Sequence, residues 1–179
     1  NMLNIIKDFN YNFYTAGFTR VAGNLCAPTG VNVPHKQIWS TIRKSKMSIV
    51  TNLLFIDAIH SSNIKQFDDY KDNEAFSEID NIDSSRPVPQ LKTRLFEAVF
   101  NKSLVLARHD YWNIIEKWFE PETEFIYYDE DNLAEIINDV NNNFDKYIPI
   151  IERAYERAVK NYGTDSLMKY ILEKENLDW

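Results

Sequence analysis

Arg94 and Glu97 are the residues whose types and spacing point most directly to chemistry in this sequence. They stand three positions apart in the segment 94–98, Arg-Leu-Phe-Glu-Ala, so a helix would place both on one face. The apolar run 103–107 follows and predicts a buried strand. Helices that lead into buried strands are where α/β domains gather polar groups around a ligand. The pair therefore predicts a ligand site, with a surface ion pair worth at most about half a kcal/mol as the alternative.

The composition indicates one globular domain with a substantial core. The 179 residues are 44% hydrophobic and include ten Tyr, eleven Phe and four Trp, which excludes a disordered chain. No apolar run approaches the roughly 18 residues of a membrane-spanning helix. The single cysteine, Cys26, has no partner for an internal disulfide, and the first residues lack a secretory signal, so we expect a cytoplasmic protein. Asn1 before Met2 fits either a tag remnant or a segment of a longer chain.

The charge is unevenly distributed along the chain. The net charge is −7, yet residues 1–50 contain six basic side chains and one acidic side chain. Such asymmetry can mark a face for an anionic ligand such as a phosphate, and it also fits an ordinary solvated surface. A nucleic-acid-binding domain would show a denser basic stripe, so we expect no stable binding of nucleic acid.

The hydrophobic periodicity alternates between helices and strands, which predicts an α/β fold with a mostly parallel sheet. An aromatic, extended stretch is predicted at 11–21. A polar insertion at about 57–90 is either a solvated loop or a lid. Helices are predicted at 2–9, 35–44, 92–100, 131–141, 148–162 and 165–175. Strands are predicted at 47–55, 103–107 and 124–128.

Several short motifs, in this order and spacing, resemble one enzyme family. They are Ser45-Lys46-Met47-Ser48-Ile49, the 94–98 segment, Phe119-Glu120-Pro121-Glu122-Thr123-Glu124 with the following Phe125-Ile126-Tyr127-Tyr128, Asp131-Asn132-Leu133 and Tyr162-Gly163-Thr164. Over about residues 35–175, apart from the insertion, the chain resembles the C-terminal, nucleotide-sugar-binding half of a GT-B glycosyltransferase, more narrowly the "glycosyl transferases group 1" domains. The resemblance implies that residues 1–179 form a single Rossmann-like domain, with a mostly parallel sheet flanked by helices and with C-terminal helices. It also implies a hexosyltransferase-type enzyme of glycan biosynthesis that takes sugar from a nucleoside-diphosphate sugar to a hydroxyl acceptor.

The resemblance implies roles in donor-nucleotide binding for particular residues. Glu97 matches a glutamate at a helix start that accepts hydrogen bonds from the donor ribose, a role that suits a carboxylate. Arg94 is the first candidate for the diphosphate and Lys46 the second. Arg108 and His109 follow strand 103–107, where α/β ligands gather, although His109 also fits an ordinary loop residue. The family neutralises the leaving phosphate with side chains and helix dipoles, so we expect neither a metal nor a cofactor.

A GT-B active site lies between two domains, so we expect an N-terminal domain in the same or another chain as partner. The chain departs from the family at Asn101, where a Gly is usual, and at Pro89, where many retaining members have a second Glu. Retention or inversion therefore stays open, as do the catalytic residues. Pro89 and the absence of a glycine-rich loop favour the alternative of a non-catalytic GT-B-like binding or interaction module. A receiver-like domain would need an acidic cluster after its first strand, and the basic N-terminal segment lacks one.

The segment Asp129-Glu130-Asp131 resembles the Asp-x-Asp metal motif of the other large glycosyltransferase fold. It lies between a predicted strand and an amphipathic helix, so helix capping and dipole complementarity explain it better. The three histidines are far apart in the sequence and are accompanied by one cysteine, a pattern that argues against a zinc site.

Overall fold

The computed structural model describes residues 2–15, 29–55, 87–110, 112–166 and 168–169, and every structural statement below concerns these. The α-helices are α1 Met2–Ile6, α2 His35–Lys44, α3 Thr93–Phe100, α4 Leu133–Asn142 and α5 Ile148–Tyr162. The strands are β1 Tyr14–Thr15, β2 Gly30–Val31, β3 Met47–Val50, β4 Leu53–Phe55, β5 Pro87–Pro89, β6 Leu104–Arg108 and β7 Ile126–Tyr128. Short 3₁₀ helices are Ile114–Lys117 and Phe144–Tyr147.

The central sheet is parallel throughout, in the order β3-β6-β7. Met47 lies opposite Leu104, and Leu106 lies opposite Ile126. This arrangement confirms the predicted α/β, Rossmann-like architecture. All three strands run the same way, so their carboxyl ends share one edge of the sheet, which we call the carboxyl edge; the other is the amino edge.

The sheet is covered by helices on both faces. Leu104 and Leu106 pack with residues of α1 and α4 in one cluster, whereas Val105 and Ala107 pack with residues of α3 and α5 in another. Side chains alternate along a strand, so one apolar run supplies both clusters. Burial on both faces explains why β6 is continuously apolar. Each layer of helices therefore holds the sheet from one side.

Helices α2 and α3 lie side by side and run from the carboxyl edge towards the amino edge. At the far ends of the two helices, the Arg43 guanidinium donates a hydrogen bond to the side-chain oxygen of Asn101 at 3.3 Å. Nearer their starts, Nδ1 of His35 lies 3.7 Å from Oε1 of Glu97. Each helix precedes a strand of the parallel sheet, which fixes its direction. The N-termini of both helices consequently lie at the carboxyl edge.

Several predicted boundaries differ from the structure because long-range pairing decides them. The strand predicted at 47–55 divides at residues 51–52, because β4 leaves the sheet and pairs antiparallel with β5. Part of the predicted insertion is thus strand β5, while residues 56–86 lie outside the described ranges. The helix at 35–44 is confirmed with its bounds. The first helix ends at Ile6, and the extended stretch and the final helix fall mostly outside the described residues.

Within the described ranges, no helix combines the length and the apolar character needed to cross a membrane. The longest of the helices named above, α5, has 15 residues and contains charged side chains throughout.

A buried carboxylate fastens α5 to the segment before β7. Glu124 is only 6% exposed; its Oε1 accepts a hydrogen bond from Nε of Arg157 at 2.7 Å. Its Oε2 accepts a hydrogen bond from the backbone N–H of Glu120, also at 2.7 Å. One carboxylate therefore accepts hydrogen bonds from two donors, which gives the glutamate of the segment 119–124 a structural role.

We expect Glu124→Gln to lower the free energy of unfolding by about 2 kcal/mol, because glutamine offers one acceptor to two donors and removes the charge from a mostly buried pair. Glu152→Gln is the matched control. Glu152 pairs with Lys102 at 2.7 Å, but both side chains are nearly half exposed, so the cost should stay below about 0.5 kcal/mol. Urea denaturation measures both values, and equal costs would contradict this account of Glu124.

Candidate active site

The carboxyl edge brings together the ends of β3 and β6 with the beginnings of α2 and α3. Ligands of open α/β sheets bind outside the carboxyl ends of the strands, so the side chains at this edge are the first candidates for a site. Of the residues singled out in the sequence, Arg94, Glu97 and His109 lie here on the sheet face covered by α3.

The start of α3 is positively charged. Lys92 is the N-cap, no side chain caps the helix, and its first turn contains no acidic residue. The backbone N–H groups of Thr93 and Arg94 have no acceptor within the helix by position. Arg94 is exposed and forms no ion pair with any described residue. Unpaired amides and a cation at a helix start are features that favour an anion.

Lys92 adds a second cation that the sequence analysis did not select. Burial lowers the pKa of the Lys92 ammonium, and the positive charge of Arg94 lowers it further. The two basic groups are therefore close enough to repel each other. A bound anion would relieve this repulsion. The signal in the sequence was a lysine two positions before Arg94, at the N-cap position of α3.

Glu97 occupies the second turn of α3, since the helix begins at Thr93; the resemblance had placed it at the helix start. Helical side chains lean towards the N-terminus, so the carboxylate of Glu97 points back towards the carboxyl edge. It is 20% exposed, and its near neighbour is His35, the first residue of α2. Arg94 and Glu97 thus share a helix as predicted, without forming the surface ion pair that was the alternative.

His109 stands beside Tyr127 at the carboxyl ends of β6 and β7. Their rings are 5.0 Å apart and nearly perpendicular. Burial raises the pKa of the Tyr127 phenol well above its usual range, and the charge and hydrogen bond of Glu116 raise it further. The phenol therefore stays neutral and donates a hydrogen bond to Glu116 at 3.2 Å. The pair offers aromatic surface and an exposed imidazole to a base or a sugar.

Two predicted residues are not brought to this group. Arg108 is on the opposite face of the sheet, because side chains alternate along β6, and it forms an ion pair with Glu130 at 3.2 Å. Lys46 precedes β3 and therefore lies at the amino edge. Its ammonium donates a hydrogen bond to the backbone oxygen of Asn141 at 2.8 Å and lies 5.5 Å from the ring centre of Phe144.

Asn52 and Asp110 are buried polar residues at the carboxyl edge that the sequence analysis did not identify. Asn52 is fully buried; its Oδ1 accepts a hydrogen bond from the backbone N–H of Lys92 at 3.4 Å, and its Nδ2 has no acceptor among the described residues. Asp110 is 4% exposed, and its Oδ1 accepts backbone hydrogen bonds from Trp112 and Ile114 at 2.9 and 3.5 Å. Its Oδ2 likewise has no partner in this part of the chain.

The Asp129-Glu130-Asp131 segment organises a turn before α4. Oδ1 of Asp129 accepts hydrogen bonds from the backbone N–H groups of Asp131 and Asn132, both at 2.9 Å. The Asn132 side chain accepts one in return from the N–H of Asp129. The side chain of the N-cap residue, Asn132, does not itself cap the helix. Among the described residues no three His, Cys, Asp or Glu side chains are grouped to hold a metal ion, and the expectation of no metal stays a prediction.

Removing the charge of Arg94 should change the pKa of its neighbour. In Arg94→Gln we expect the pKa of Lys92 to rise towards its usual value while staying below it, because burial persists. Carbon-13 NMR of reductively methylated lysines measures the titration. Lys102 is the internal control, since its pKa is raised by its hydrogen bond to Glu152 and should not move. An unchanged titration of Lys92 would show that the two cations do not interact.

One comparison with known proteins matches nearly the whole chain. A family model described as "Glycosyl transferase-like" matches residues 6–173, which include every element described above except the first four residues of α1. The search of curated proteins gave no match.

Proposed function

The chain belongs to the glycosyl transferase-like family, and we propose that it binds a nucleoside-diphosphate sugar at the carboxyl edge as the donor domain of a glycosyltransferase. The observation that supports this most is the start of α3. Two cations, Lys92 and Arg94, lie there beside backbone amides that no side chain caps. The first turn of the helix contains no acidic residue. A diphosphate carries the charge and the acceptor oxygens that such a group binds.

In this proposal each part of the donor has its own contacts. The diphosphate lies against Arg94, Lys92 and the first amides of α3, which also stabilise the negative charge that builds on the leaving phosphate during transfer. The ribose hydroxyls donate hydrogen bonds to Glu97, one helical turn further along. The pair of His109 and Tyr127 supplies surface for the base or the sugar. No metal ion or further cofactor is needed for this role.

We also propose that the acceptor binds to another domain. Arg94 and His109 are exposed, so the carboxyl edge described here does not by itself exclude water from the reacting atoms. A second domain packed over this edge would close the cleft, bring the acceptor hydroxyl and supply any general base. Sugar transfer would then require both domains, whereas this chain would bind the donor without the second domain.

A series of ligands that contain increasing parts of the donor tests donor binding. Inorganic diphosphate probes the start of α3; UDP, GDP and ADP add ribose and a base, and dTDP adds deoxyribose and a base. At a hundredfold excess over its Kd, the preferred nucleotide should stabilise the protein by about 2.7 kcal/mol, or raise the Tm by about 5 to 10 °C. No shift with any of the four nucleotides would overturn the proposal.

Two substitutions assign the contacts. Arg94→Gln should weaken binding of both diphosphate and nucleotide by about tenfold or more, because a charge-assisted hydrogen bond is lost. Glu97→Gln should weaken binding of the ribonucleotide and spare inorganic diphosphate. Lys46→Gln is the matched control for Arg94→Gln, since Lys46 lies at the amino edge, and it should change neither affinity. Calorimetric titration measures all of them, and equal losses for Lys46→Gln and Arg94→Gln would contradict the placement of the site.

The second candidate function is a binding module without transfer, which Pro89 favours because it stands where many retaining family members have a glutamate near the donor sugar. Release of the nucleoside diphosphate from a nucleotide sugar separates the two candidates. Release that requires an acceptor and is lost in Arg94→Gln supports the transferase. Tight donor binding without release, even when the second domain proposed above is present, supports the module.

A further inference from the structure

Two unpartnered polar atoms lie at the ends of neighbouring strands. Val50 and Ala107 are directly opposed in β3 and β6; Asn52 follows the first by two residues and Asp110 follows the second by three. Both side chains are more than nine-tenths buried. The unpartnered atoms are Nδ2 of Asn52, a donor, and Oδ2 of Asp110, an acceptor. Both strands end at the carboxyl edge, where the donor is proposed to bind.

The other oxygen of each side chain is already held in place. Oδ1 of Asn52 accepts from the backbone of Lys92, and Oδ1 of Asp110 accepts from the amides of Trp112 and Ile114. These bonds fix both side chains, so the remaining donor and acceptor are kept in one orientation. A buried polar atom without a partner destabilises the folded protein, because it has lost its hydrogen bonds to water and gained none in return. A ligand that supplies the missing partner removes this destabilisation on binding.

The chemistry of the two atoms selects the kind of ligand group. The carboxylate of Asp110 repels a phosphate, so this corner does not suit the diphosphate itself. Hydroxyl groups suit both atoms, because a hydroxyl can accept a hydrogen bond from the Asn52 amide and can also donate one to the Asp110 carboxylate. Asn52 is bonded to Lys92, and Lys92 is one of the two cations proposed to hold the diphosphate. A hydroxyl-bearing group at Asn52 would therefore lie next to the proposed diphosphate site, and it would be bound by residues other than Glu97.

We propose that Asn52 and Asp110 bind hydroxyl groups of the glycosyl unit of the donor and so determine which sugar is accepted. This inference rests on the proposed function, because it assigns one end of the same nucleotide sugar. A site built to bond a hydroxyl rejects an analogue that lacks it much more strongly than an apolar pocket does, since its buried atoms are then left unpaired.

Asp110→Asn tests the assignment with little change of shape. The amide oxygen of asparagine still accepts from Trp112 and Ile114, while its NH₂ replaces the unpartnered acceptor with a donor. Asp129→Asn is the matched control. Asp129 also accepts two backbone hydrogen bonds after a strand of the sheet, but it is exposed and its role is in the turn before α4.

The affinities to be compared are those for UDP-glucose, UDP-galactose, UDP-N-acetylglucosamine and GDP-mannose, each beside its nucleoside diphosphate alone. For the nucleotide sugar that binds best, Asp110→Asn should lose about tenfold or more in affinity and keep its affinity for the nucleoside diphosphate. Asp129→Asn should keep both. The wild-type protein should also bind the deoxy analogue of that sugar about tenfold or more weakly, and Asp110→Asn should discriminate less.

The outcomes separate the two proposals. Loss of nucleotide sugar and nucleoside diphosphate to the same extent in Asp110→Asn, or no loss of either, overturns the role in sugar recognition and leaves donor binding intact. A wild-type protein that binds no nucleotide overturns the proposed function and this inference with it. If Asp110→Asn fails to fold, the wild-type comparison with the deoxy analogue decides, and equal affinities there overturn the inference.

Discussion

The parallel pairing of β3, β6 and β7 is the constraint on which the rest of the structure depends. Parallel strands must all enter from one edge, so every return segment runs back across a face of the sheet, and burial on both faces follows. The helices that return the chain therefore begin at the carboxyl edge. One consequence is that the start of α3, the start of α2 and the ends of β3 and β6 meet there. A sheet paired in another sense would scatter the same side chains.

Local pattern predicted the elements that local forces determine. The helix 35–44 was predicted with its bounds, and β6 was predicted to within one residue at each end, because the periodicity of each is set by its own side chains. The break at residues 51–52 was not predictable in this way. It exists because β4 pairs with β5, a partner distant in the sequence, and the apolar residues on both sides of the break look like one strand. The register and pairing of strands decide such boundaries, and a short window of sequence determines neither of them.

The site could be predicted in part, for related reasons. Helical spacing predicted that Arg94 and Glu97 lie on one face, because a separation of three positions along one helix is set by local geometry. Residue type alone could not place Arg108 or Lys46. Arg108 lies on the other face of the sheet because side chains alternate along β6, and it is paired with Glu130. Lys46 precedes β3 and therefore lies at the amino edge. The buried Asn52 and Asp110 were missed because a polar residue after an apolar run usually lies in a solvated loop, and only the fold shows that these two are enclosed.

The net charge of −7 does not by itself decide whether the start of α3 suits an anion, because the charges nearest that position matter most. Some of the carboxylates elsewhere in the fold have cationic partners: Glu124 with Arg157, Glu130 with Arg108, and Asp139 with Lys146. Charges of opposite sign that lie within a few ångströms largely cancel at the distance of a Debye length, about 8 Å at physiological ionic strength. The nearest charges at the start of α3 are those of Lys92, Arg94 and the helix amides; the first turn of the helix contains no acidic residue, and Glu97 lies one turn further along. The sign of a site is set within this distance, and the sum over the whole chain does not describe it.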